Sequence, residues 1–307
     1  MTRYIIKRTI IVFLTLILIS TITFFLMNIV PGGPFLSEKS PTPAVLKMLE
    51  EKYGLDKPLI VQYKTYMLDL AHGDMGVSLK KKGRAITDII FEKFPVSARL
   101  GLVSIGLAIL FGIPIGCIAA LKRGKWLDNF LMFIATIGIA VPGFVVATSL
   151  MIIFGVKLQL LPTFGLSTPL HYILPAFTLA FYPMSYMARL MRSSMLEVLS
   201  LDYIRTARAK GVSQFKMIFK HALRNSLIPV ITYLGPLMAY ILTGSFVVEK
   251  IFTIPGLGGE FINSITNRDY PMIMGTTIFL ATILIFMNFL VDILYKVVDP
   301  RVNLDKE

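Results

Sequence analysis

The chain has 307 residues, 55% of them hydrophobic and 16% charged, with 31 Lys and Arg against 18 Asp and Glu. That balance excludes an ordinary soluble domain and points to a polytopic membrane protein, and the net charge of +13 fits cytoplasmic loops better than a nucleic-acid surface. The single cysteine, Cys117, lies in an apolar run and excludes an intrachain disulfide or a cysteine metal site.

Arg3, Lys7 and Arg8 precede an uncharged run at 9–30, long enough to cross a bilayer at about 20 residues. It is too long for the apolar core of a signal peptide and no small-x-small site follows, so it reads as the first span with the N-terminus in the cytoplasm. Pro31-Gly32-Gly33-Pro34 breaks the helix and opens a polar insert at 31–97. Thr42-Pro43 starts one helix there, ending at Gly54; Asp56 caps a second, ending at Gly73, with Leu59, Ile60, Tyr63, Met67 and Leu70 on one face. Residues 84–94 read as a short amphipathic piece lying at the interface.

The second span is 98–121. Lys122, Arg123 and Lys125 form a basic turn, with Trp126 as an interfacial anchor. The third span, 130–154, is irregular at Gly138, Pro142 and Gly143; the fourth, 172–188, is interrupted by Pro183; the fifth, 227–248, holds Gly235-Pro236. Irregular backbone at these six positions suits a translocation path, because non-helical backbone at membrane depth is tolerated where protein or a wet cavity satisfies it. Packing alone also accounts for Gly and Pro in membrane helices. The sixth span is 272–291, and Asp292 at its end is placed to pair with Lys296. The loop at 249–271 carries Gly256-Leu257-Gly258-Gly259, expected as a turn, then Asn263, Asn267, Arg268 and Asp269 as polar contacts. Its part 254–271, with 31–97, is expected on the outer face as a docking rim; that the insert only braces the bundle is the alternative. The charges put both termini, 122–125 and 189–226 inside. The fold class is an all-α membrane bundle of six spans, a single transmembrane domain over 1–307.

The most basic stretch is 201–226, LDYIRTARAKGVSQFKMIFKHALRNS. Asp202 caps a short helix with a positive face of Arg205, Arg208 and Lys210, and Gly211 ends it in a left-handed turn. Ser213 caps a second helix that runs through Ile218, Phe219, Leu223 and Leu227 into the fifth span. Such an elbow suits passing a push from a soluble partner into the bilayer; charge alone equally suits cytoplasmic residues that only fix topology.

The spans hold essentially no ionisable residue centrally, which weighs against a proton- or ion-coupled transporter. There is no phosphate-binding G-x-x-x-x-G-K-[ST] loop, no H-E-x-x-H, and no histidine partner at metal-ligand spacing for His72, His171 or His221. Neither ATP hydrolysis nor intramembrane catalysis by this chain is expected.

The elbow resembles the cytoplasmic coupling loop of ABC-importer permeases. Ala207, Gly211 and Leu223 match the pattern Glu-Ala-Ala, three residues, Gly, nine residues, Ile-x-Leu-Pro, while Arg205, Thr206, His221 and Arg224 depart from it. DYIRTARAKG and HALRN follow the oligopeptide/dipeptide permease branch, as do YGLDKPLIVQY, GDMGVS, FPVSARLGL, IGIAVPGF and IPGLGGEFINSITNRDYPMIMGTT, so the resemblance covers nearly the whole chain. It implies a multi-pass permease subunit of the bacterial cell membrane, with no metal or cofactor of its own. It pairs with a second, similar permease and with two ATPase subunits that use ATP and Mg. Coupling falls to Asp202, Arg205, Ala207, Arg208, Lys210 and Gly211. An external binding protein delivers oligopeptides; related permeases take dipeptides, nickel or glutathione.

Overall fold

The computed structural model describes residues 2–30, 33–35, 42–81, 83–242 and 246–298, with side chains described outside 2–7, 239, 242 and 291–298. Pro31 and Gly32 of the expected break and the Asp292–Lys296 side-chain pair lie outside the described residues. Fourteen α-helices, with short 3-10 and π segments, form the described fold; its only β pairing is an isolated bridge between Val77 and Ala85. Three helical stretches, Arg8–Ile29, Ile86–Leu121 and Tyr270–Leu290, are long and apolar enough to cross a membrane, and a bent helix pair is a fourth if it counts as one span.

By its contacts the chain divides into two compact units, 1–96 with 255–286 and 304–307, and 97–254 with 287–303. In the first unit, α1 (Thr2–Ile29) is followed by α2 (Pro43–Tyr53) and α3 (Leu59–Ala71). The helix stops expected at Gly54 and Gly73 take left-handed φ values of 67° and 82°. Asp56 is not the cap of α3. Pro58 holds that position in extended conformation, and Gln62 closes the turn by donating to the Leu55 and Lys57 carbonyls. Neither α2 nor α3 has a buried residue. Tyr63 and Tyr66 seat α3 on α1 by ring contacts with Phe24, and Tyr63 also shares a 2.8 Å hydroxyl bond with Thr21, whereas Leu59 and Ile60 of the expected apolar face stay exposed.

The stretch 84–94 is no separate interfacial piece. Its residues from Ile86 open α4 (Ile86–Leu121), in which Ile86, Ile89 and Ile90 are buried, and Phe94 meets Phe279 edge to face. The glycine-rich run also differs from the expected turn. Gly256 is the N-cap of α13 (Leu257–Thr266), and Leu257, Gly258 and Gly259 form its buried first turn. Helix α14 (Tyr270–Val298) follows.

In the second unit the stretch expected as the third span is broken. Helix α5 (Trp126–Ala140) and α6 (Gly143–Leu150, prolonged by a π segment Met151–Lys157) meet at an angle of 107°. Pro142 sits in the break, as its fixed φ and the extended backbone it imposes on Val141 require. Helix α7 (Ile173–Ser200) differs in the other direction, running unbroken through Pro183 and past Arg189, the first residue of the stretch 189–226 expected inside. It is the centre of the unit: α5, α6 and α11 (Ile228–Leu242) all pack on it. Close approach makes this possible. A Cβ at Gly116 of α4 would stand 2.5 Å from the Ala188 carbonyl oxygen, and one at Gly138 of α5 would collide with Ser185.

Candidate functional site: the basic elbow and its support

The elbow forms because three local signals agree. Leu201 breaks α7 with extended backbone, α8 (Asp202–Ala209) follows at once, and Gly211 stops it at φ 75°. The Gly211 and Val212 amides donate to the Arg208 and Ala207 carbonyls at 3.0 and 3.2 Å, a Schellman closure that only a left-handed residue completes. Asp202 is the first helical residue rather than the cap, and its carboxylate makes no capping bond. In the first turn it complements the helix dipole and lies 3.5 Å from Arg205. The second arm is α9 (Gln214–Lys216), a π segment Met217–Ala222 and α10 (Leu223–Ser226); Ser213 is its N-cap by backbone, without a side-chain bond.

The two arms are glued from inside. Ile204 of α8 packs in a buried cluster with Met191 and Met195 of α7 and Met217, Ile218 and Ala222 of the second arm. Burying one such side chain stabilises by roughly 1.5–3 kcal/mol. Tyr203 pins the arms at their edge, accepting from Asn225 Nδ2 at 2.8 Å and donating to the His221 carbonyl at 3.3 Å. Ala207 faces inward with Ile204, so its small size serves this internal packing. Arg205, Arg208 and Lys210 face outward and exposed. On the second arm Phe215 and Phe219, 72% and 55% exposed, meet in a tilted pair with ring centroids 4.4 Å apart.

Reading the sequence missed that aromatic pair, although its i, i+4 spacing inside a basic stretch is a visible signal. It also missed the support beneath the elbow. Asp128, 1% exposed at the start of α5, takes Arg192 of α7 in a two-pronged ion pair at 2.6 and 2.7 Å and accepts the Gly124 amide at 2.9 Å. The basic turn at 122–125 is thereby fastened to the helix that carries the elbow.

The residues expected along a path divide in two. Gly138, Pro183 and Gly235 are buried, while Pro142, Gly143 and Pro236 are exposed. Gly138 meets Ser185, two residues beyond Pro183, and Tyr233, two residues before Gly235, meets Tyr186 with ring centroids 4.5 Å apart.

The first unit holds its loops differently. Asp269 accepts from the Ser78 hydroxyl and from the Leu79 amide at 3.1 Å, and Lys81 pairs with Glu260 at 2.7 Å. These bonds bring residues of 31–97 and 249–271 together. A cavity of about 430 Å³ lies beside them, walled by Phe24, Tyr53, Tyr66, Tyr270 and Met274. The Tyr66 and Tyr270 hydroxyls are buried without hydrogen-bond partners among the described residues, and burial pushes the Tyr66 phenol above its usual pKa, keeping it neutral.

The comparisons agree with this architecture. Residues 112–304 match the family described as binding-protein-dependent transport system inner membrane component, and residues 1–101 match its N-terminal counterpart. The chain is 51% identical over its whole length to the whole of the dipeptide transport system permease protein DppB of Bacillus subtilis. It is 43% identical, over 99% of its length and 100% of the relative, to the oligopeptide transport system permease protein OppB of Haemophilus influenzae. Among solved structures, an inward-facing MetNI methionine ABC transporter chain matches with a TM-score of 0.56 at 17% identity, covering 69% of this chain and 97% of that one, a likeness of fold.

Proposed function

The chain belongs to the family of binding-protein-dependent transport system inner membrane components, in its peptide permease branch, and from that premise we propose that it is one half of the translocation path of an ATP-driven oligopeptide importer. It is a membrane permease and not an enzyme; ATP and Mg are used by partner ATPases, and the chain holds no cofactor. We read it as a single transmembrane domain over 1–307, of six spans with both termini in the cytoplasm, paired with a second permease of the same kind. Residues 31–97 are its outer insert, where with 254–271 a binding protein delivers cargo. Residues 189–226 are its coupling loop.

The observation that carries the reading is the division of the elbow into two faces. Ile204 and Ala207 are buried against the chain's own core, while Arg205, Arg208, Lys210 and a tilted Phe215–Phe219 pair stand exposed. An exposed aromatic pair rimmed by cations is what a protein partner anchors on. Topology alone asks for the charge and not for the rings. Asp202 and Gly211 shape the elbow, and Arg205, Arg208 and Lys210 face the ATPase. The path runs beside Gly138, Pro142, Gly143, Pro183, Gly235 and Pro236.

Oligopeptides are the proposed cargo, and dipeptides are the second reading, favoured by the 51% identity to a dipeptide permease. Uptake of labelled peptides of graded length by vesicles holding the whole importer tests both. Import of tri- to pentapeptides supports the first; import confined to dipeptides replaces it with the second; no ATP-driven peptide uptake refutes both.

A further inference from the structure

Helix α7 runs through the second unit, yet it is absent from the helices apolar enough to cross a membrane. Its first half carries Thr178, Tyr182, Ser185 and Tyr186 among its apolar residues. Thr178 and Ser185 are buried, whereas Tyr182 and Tyr186 are 49% and 38% exposed. Tyr182 stacks on Tyr186, and Tyr186 lies against Tyr233 of α11, with ring centroids 6.4 and 4.5 Å apart. None of the three hydroxyls has a hydrogen-bond partner among the described residues.

Depth gives this ladder its meaning. With the fourth span at 172–188 and the fifth at 227–248, Tyr182 and Tyr233 each lie six residues, roughly 9 Å, inside the cytoplasmic end of their span, and Tyr186 two residues, roughly 3 Å, at 1.5 Å per residue. Tyrosine favours the membrane surface, where its hydroxyl meets water. Turned to lipid, the Tyr182 and Tyr233 phenols leave two donors unsatisfied, each costly in a medium with no partners, and Tyr186 links the two toward the cytoplasmic surface. A wet passage removes that cost. A peptide in transit replaces the water with its own N–H and C=O groups, repeating every 3.3 Å or so along an extended chain. Phenols both donate and accept, so they suit either group and ask nothing of the cargo's side chains.

Resting on the reading of the chain as a peptide permease, we propose that Tyr182, Tyr186 and Tyr233 form the peptide-contacting face of the path and hydrogen-bond the backbone of the passing peptide. Removing a hydroxyl while keeping its ring leaves the packing intact and takes away only that contact.

The experiment uses the assembled importer in proteoliposomes, with the second permease, the ATPases and the binding protein. The probes are tri-alanine and its backbone N-methylated form. Wild type, Tyr182→Phe, Tyr186→Phe, Tyr233→Phe and the triple variant are compared for uptake and ATP hydrolysis. The expected result is a roughly three- to ten-fold loss of tri-alanine uptake per hydroxyl, the factor one net hydrogen bond carries. Wild type should favour tri-alanine over the N-methylated form, and the triple variant should lose that preference at unchanged assembly. Normal uptake with the preference retained overturns the proposal. So does loss of the second permease from the purified triple variant, because the face is then a subunit interface. If wild type imports no peptide at all, the failure lies in the peptide-permease reading itself and is distinguishable from both.

Discussion

The elbow and the polar insert are both charged segments tied to membrane helices, and they are held in contrasting ways. The elbow is built on buried apolar atoms: Ile204, Met191, Met195 and Met217 fill its inside, and the Asp128–Arg192 pair fixes the helix beneath it. In the insert neither α2 nor α3 has a buried residue, and these helices and the loop after them are stitched by aromatic contacts on α1 and by polar bonds to 249–271. A segment that must pass on a push needs an inside that does not yield, because packed cores switch between arrangements instead of deforming gradually. A rim that receives a visiting protein gains from contacts that reform at little cost.

Substitutions can break this comparison, and the largest effect is expected beneath the elbow. Arg192→Met strands a buried carboxylate and should destabilise by about 3–5 kcal/mol, read as early thermal unfolding in detergent. Ile204→Ala opens a cavity in the cluster and should cost about 2–4 kcal/mol, seen as faster proteolysis at 201–226 with the insert unchanged.

Gly211→Val comes next. Nothing lies within 4 Å of an added Cβ there, so the effect comes from the left-handed backbone alone. The strain is about 1–2 kcal/mol, enough to misplace the elbow without unfolding the protein. Uptake per ATP hydrolysed should fall while insertion stays normal, and ordinary coupling would count against the elbow as the transmission point.

The insert should respond more weakly. Asp269→Asn weakens the bonds to Ser78 and Leu79 and should cost about 1–2 kcal/mol, visible as faster amide exchange at 77–85 and none at 201–212. Lys81→Ala removes the more exposed partner of the pair with the mostly buried Glu260 and should cost about 1 kcal/mol, near the limit of what a thermal scan resolves. An insert that proved as sensitive as the elbow would erase the contrast.

Much of this was legible in the chain. Hydropathy marks α1, the apolar part of α4 and α14, because each repeats one simple physical demand over about 20 residues. Gly54, Gly73 and Gly211 mark helix ends, since few other residues accept a left-handed φ. What stayed hidden depends on tertiary partners. Pro183 reads as an interruption, yet α7 continues through it, the helix being supported on several sides by α5, α6 and α11. Gly256-Leu257-Gly258-Gly259 reads as a turn, yet it is the buried start of α13. Asp128 and Arg192 stand 64 positions apart, and only the folded chain shows that they meet. The tyrosines of α7 and α11 look like ordinary aromatic residues until depth and exposure are known together.

The central claim is that the elbow's outer face is where the ATPases push. Single-cysteine variants Arg208→Cys, Phe215→Cys and Ile60→Cys, in a Cys117→Ala background, test it through maleimide labelling of the assembled importer with and without its ATPase subunits. The account predicts that Arg208→Cys and Phe215→Cys label freely without the ATPases and are protected with them, while Ile60→Cys labels equally in both. Equal labelling of the elbow positions in the two preparations would contradict it.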